Sequence, residues 1–113
     1  MSLFSIRHYL TKTGKDIYLD WLRHVRDPVA KSQIVRRVNR VEEGNFGDHR
    51  FCREGIWELR FDVGAGYRVY YAKAGTTLVL LLSGVDQPST AWEIARPLRH
   101  WQPWQRRTDH ERP

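Results

Sequence analysis

Residues 55–71 read GIWELRFDVGAGYRVYY, two apolar-rich runs around the turn Gly64-Ala65-Gly66. A short glycine turn between alternating runs specifies an antiparallel hairpin. Alternation sorts the side chains: Trp57, Leu59, Phe61 and Val63 share one face with Tyr67, Val69 and Tyr71, while Glu58, Arg60 and Asp62 share the other with Arg68 and Tyr70. Pairing residue 63 with residue 67 sets Arg60 opposite Tyr70 and Asp62 opposite Arg68, with room for a one-residue slip if the turn carries a bulge. The apolar face needs helices as its cover. The other face is then expected to present two arginines, a tyrosine and carboxylates at the centre of a sheet. One explanation is self-neutralisation by the solvated pairs Asp62–Arg68 and Glu58–Arg60, each contributing roughly 0–1 kcal/mol. The other is a rigid cationic platform for phosphate, with Tyr70 available for stacking or proton transfer. Alternation by itself favours the first.

Downstream, Thr77–Ser83 is a third strand-like run whose LVLLL core is apolar on both faces, as a strand covered on both sides would be. Upstream, residues 3–10 suit a first strand. Thr13 and Asp16 have capping-box spacing and announce a helix with the apolar stripe Ile17, Tyr18, Trp21, Leu22 and Val25. Asp27-Pro28 starts a second helix, Asp as N-cap and Pro at the first helical position, and Ala30, Ile34, Val38 and Val41 fall on one of its faces before Gly44 ends it. Its opposite face carries Arg36, Arg37 and Arg40, a row that reads first as a solvated surface. EGNFGD (43–48) is a turn-rich link. Ser89–Arg99 suits a last helix broken or ended near Pro97, with Trp101 packing down and the basic tail beyond it loose. The expected order is β-α-α-β-β-β-α: an α+β single domain over residues 1–100, two N-terminal helices on one face of a mostly antiparallel sheet, and a basic tail over 101–113.

The chain has 113 residues, a length that buries one modest core. Its net charge is +6, carried by 15 Arg and 4 Lys. Arginine's planar fork grips phosphate and stacks on bases, so the bias points to nucleic acid or an acidic partner as much as to a merely soluble surface. Cys52 is the single cysteine and the five histidines are scattered, so no metal-ligand spacing and no cofactor is expected. No run is long enough to span a membrane and no secretion signal is visible, so the expected location is cytoplasmic.

GNFGD (44–48), GIWELR (55–60), GYRVYY (66–71) and the LLL-S-G-x-D of 80–86 resemble, in order and spacing, the RelE/ParE superfamily of bacterial toxins, in its HigB-like "addiction module killer" branch. The resemblance spans residues 17–95. It implies the toxin of a type II toxin–antitoxin system, a metal-independent endoribonuclease that cuts mRNA, typically on the ribosome. The cognate antitoxin, encoded next door and commonly a helix-turn-helix protein, would neutralise it, and operator DNA would be bound only through that complex. Arg60 and Arg68 match the family's motif arginines and would stabilise the phosphorane. Tyr70 would be acid, base or stacking surface, and Glu58 a carboxylate partner or the orienter of Arg60. Arg36, Arg37, Arg40 and Gln87 would contact RNA. The family's G-G-D-K-S/T reads here Gly84-Val85-Asp86-Gln87-Pro88-Ser89-Thr90, so a glutamine stands where the family has lysine. Glutamine only hydrogen-bonds, which leaves catalysis weakened or carried by another group such as His49 or His100, each of which reads more simply as surface. Two other outcomes stay open: a ParE-like gyrase inhibitor acting by binding, and a degenerate toxin kept as an antitoxin-binding partner.

Overall fold

In a computed structural model, which describes residues 3–86 and 95–111, the order is β1 (Ser5–His8), α1 (Ile17–His24), α2 (Pro28–Val41), β2 (His49–Arg53), β3 (Ile56–Phe61), β4 (Tyr67–Ala74), β5 (Leu78–Asp86) and α3 (Ala95–Glu111). Five strands form one sheet in the order β1-β5-β4-β3-β2, antiparallel except for β1, which runs parallel to β5 from Ser5 opposite Leu78 to His8 opposite Leu81. The radius of gyration is 13.7 Å, close to the ~13 Å of a compact domain of about 100 residues.

The helix starts follow from local chemistry. Asp27 caps α2 by accepting from the amides of Val29 and Ala30, and Pro28 occupies a first-turn position where no amide partner is needed. At α1 the cap is Asp16 itself, whose Oδ1 accepts from Leu19 at 2.9 Å, and not Thr13. Both helices cover one face of the sheet, where Leu22, Val25, Ile34, Val38 and Val41 meet Leu59, Phe61, Val69, Tyr71, Val79 and Leu81. The opposite face is also buried: Ile56, Tyr70, Ala72, Leu80 and Leu82 lie in a second core with Tyr9 and Trp101 of α3. The apolar-on-both-faces strand of the sequence reading is therefore β5, sandwiched as expected.

Four further expectations are corrected. The element order lacked β2, because HRFCR lies at the sheet edge with four of its five residues exposed and so has no apolar alternation to read. The hairpin register is Phe61 opposite Tyr67, which sets Arg60 opposite Arg68 and Glu58 opposite Tyr70. The loop is longer than three residues because Gly66 N–H closes on Val63 O at 3.0 Å, with Gly64 and Gly66 both at positive φ. Finally, the face with Glu58 and Tyr70 is not a solvated outer face, since α3 helps to cover it. Pro97 does not break that helix: it sits in the first turn, whose amides have no intrahelical acceptor, and α3 continues to Glu111 through Pro103. The expected stretch 89–94 lies outside the described residues.

Candidate nucleic-acid interface

Glu58 is the centre of the buried charge. It projects from β3 with no exposed surface, yet it is flanked by Arg50 on β2 (Nη2–Oε1 3.0 Å) and Arg68 on β4 (Nη1–Oε2 3.3 Å). Neither contact has hydrogen-bond alignment, so the carboxylate is held by charge. A carboxylate withdrawn from water needs such partners, and one carboxylate here serves two arginines.

Arg60 is left over. Directly opposite Arg68 and half-buried, it makes no ion pair among the described residues. Its backbone is clamped on both sides: the amide donates to Asp48 O at 2.9 Å, and its carbonyl accepts from the Arg37 guanidinium. Like charges facing each other across a ladder are unfavourable. The pair flanks a cleft of about 140 Å³ at the hairpin end, lined also by Asp62, Gly66 and Tyr67. Counting the three arginines against Glu58 and Asp62, the cluster retains one net positive charge. A rigidly mounted, incompletely neutralised guanidinium pair at a cleft is suited to an anion of phosphate size and charge.

The sequence-derived site residues divide. Arg60, Arg68, Glu58 and Tyr70 share one face, as alternation implies. Only the arginines reach the cleft, however, because Glu58 and Tyr70 are 0% and 1% exposed. Tyr70 faces the buried Ser83 across β4–β5. Arg36 and Arg40 are exposed on α2. Arg37 serves as a strut: it lies 4.3 Å over the Phe61 ring and donates to the carbonyls of Arg60, Phe46 (3.1 Å) and Asp48 (2.9 Å). Its fork is committed to backbone. Gln87 lies outside the described residues. His49 sits on the helix-covered face beside Trp57, and His100 stacks on Tyr9 at 4.7 Å, so neither lines the cleft. Sequence reasoning missed Arg50, whose role becomes visible only once β2 is known to pair with β3 and to place it opposite Glu58. Among the described residues no group of His, Cys, Asp and Glu is arranged to hold a metal, and no helix is long and apolar enough to cross a membrane.

No family model matches the chain. A protein of Haemophilus influenzae described as uncharacterized is 45% identical over 74 residues, spanning 66% of this chain and 75% of that one. The chain belongs to that protein's family. Identity at that level over most of both chains implies a shared domain fold.

Proposed function

We propose that this chain is the toxin of a type II toxin–antitoxin pair, RelE-like in arrangement, cytoplasmic, and acting on RNA through the Arg60–Arg68 cleft. The observation that carries the reading is the directly opposed arginine pair, of which only Arg68 is matched by a carboxylate, Glu58, itself shared with Arg50. Such a pair opposes folding, and a bound backbone phosphate would relieve it. In cleavage the two cations would stabilise the five-coordinate phosphorane, the step at which charge on the phosphate oxygens increases. Glu58 would act through Arg68 by fixing its fork, with Tyr70 buried opposite Glu58 across the ladder. The cognate antitoxin would present an acidic or amphipathic segment that covers the cations.

Burial of Glu58 and Tyr70 also supports a second reading. With both acid–base candidates out of reach, the same surface serves a protein that acts by binding alone, either as a gyrase inhibitor or as an inactive antitoxin partner. Induction of the chain with and without the neighbouring gene, combined with mapping of mRNA 5′ ends, separates these. Cleavage predicts growth arrest with new 5′ ends, both abolished in Arg60→Ala/Arg68→Ala. Arrest with intact mRNA and DNA damage identifies the gyrase reading, and harmless expression identifies the inactive partner. Arrest and cutting that persist in the double variant would refute the cleft assignment.

A further inference from the structure

The outer edge of the sheet carries a second surface, on the other face from Glu58 and Tyr70. On β2, His49 and Phe51 point to the same side as Trp57 of β3. Phe51 is 50% exposed and packs edge-on to Trp57 at 5.3 Å, and exposed His49 lies 5.8 Å from the same indole. Lys73 of β4 holds its ammonium 4.2 Å from the Trp57 centroid and 4.9 Å from that of Phe46. A bulge after Phe51 sets Arg53 opposite Ile56, on the other face, and Glu54 is the one acid in the stretch 49–57. An exposed phenylalanine on an edge strand is a liability in a soluble chain. Here it is set beside a ring that holds a cation.

We propose that β2, Trp57 and Lys73 form a stacking platform for single-stranded RNA, distinct from the arginine cleft; this rests on the RNA reading above and names a second contact for the same strand. Rings set beside a cation are the elements of sequence-tolerant single-strand binding: bases stack on Phe51 and His49, and Lys73 meets the phosphates. The spacing selects the substrate. Residues two apart on a strand lie about 6.8 Å from each other, twice the ~3.4 Å rise of stacked bases in a duplex strand. An unstacked single strand can seat successive bases on both rings, whereas a duplex keeps its base faces occupied. Alternation along β2 also puts Arg50 on the cleft side and Phe51 on the platform side, so one strand crossing this edge meets both.

The test is fluorescence anisotropy with a labelled 2′-O-methyl oligouridine 12-mer, which cannot be cut, alone or annealed to its complement. Phe51→Ala is expected to weaken single-strand binding by about 5- to 100-fold with an unchanged circular dichroism spectrum, and Phe51→Trp to restore it. Lys73→Met should lower the slope of log affinity against log salt by about 0.7. Leu10→Ala, an exposed apolar residue elsewhere, should change nothing. Equal affinity of Phe51→Ala and wild type, equal binding of the duplex, or no binding by wild type overturns the platform; the last outcome would make the patch a protein contact. Absence of new mRNA ends on induction, by contrast, bears on cleavage and leaves this measurement intact.

Discussion

If Glu58 is anchored by charge, its two neighbours should be unequal when removed. Arg68 is 24% exposed and Arg50 57%, while Glu58 has no exposure at all. In Arg68→Met the carboxylate stays buried beside a mostly solvated Arg50, and the expected loss is about 3 kcal/mol, the low end for breaking a buried pair. In Glu58→Gln the volume is kept and both guanidiniums can turn to water, so the loss should be only about 1–2 kcal/mol. Once the charge is gone, Met at 68 costs little more, so the double variant should lie near Glu58→Gln, with a coupling close to the ~3 kcal/mol lost in Arg68→Met. Arg60→Met supplies the contrast: it breaks no ion pair among the described residues and removes the like-charge apposition, so it should be neutral or stabilise by up to about 1 kcal/mol. Urea denaturation followed by circular dichroism measures all four, with slopes checked for constancy. Additive losses in the cycle, or equal losses for Arg60→Met and Arg68→Met, would refute the reasoning.

Gly84 should tolerate no side chain, because a Cβ there would stand 2.1 Å from the Trp21 ring, whose indole donates to Asp86 Oδ1 at 2.6 Å. Gly84→Ala is expected to cost about 2 kcal/mol and to shift the near-ultraviolet dichroism as Trp21 moves; an unchanged melting curve would contradict this. The Cys52 thiol is pushed up to about 11, first by burial and then by the charge of Glu58. The folded state therefore favours the neutral thiol, and its contribution to stability is present below the unfolded value of about 8.5 and lost as pH rises through about 11. Iodoacetamide alkylation should be slow at pH 8.5 and faster in Glu58→Gln; a wild-type rate that levels off near pH 8.5 would count against it.

The parts of the fold written in periodicity were readable from the residues. Asp27-Pro28 set the start of α2, its buried stripe was the expected one, and LVLLL announced a strand covered on both sides. What escaped reading depends on pairing. HRFCR shows no alternation because an edge strand exposes both of its sides, and without it Arg50 had no visible connection to Glu58. The register turned on a hydrogen bond inside the loop, from Gly66 to Val63, which no alternation encodes. Arg36, Arg37 and Arg40 look alike as a row on a helix, yet only Arg37 lies where three carbonyls converge, and that depends on the path of residues 46–60. The common face of Arg60 and Arg68 was legible; the depth of Glu58 and Tyr70 was not, because α3, which helps to cover them, reads from sequence as a shorter helix before a loose tail.

That cover gives the chain a definite order of assembly. The β3–β4 hairpin is local and needs little loop closure, but β1 waits for β5, with Ser5 opposite Leu78, and the second core waits for Trp101. A nascent chain therefore carries Leu80, Leu82 and Tyr70 without their lid until the final helix has been synthesised. Glu58 and its partners Arg50 and Arg68, by contrast, lie on β2, β3 and β4, all made before that helix. The charged cleft, carried by the local β3–β4 hairpin, is thus synthesised well before the lid of the second core on the same sheet.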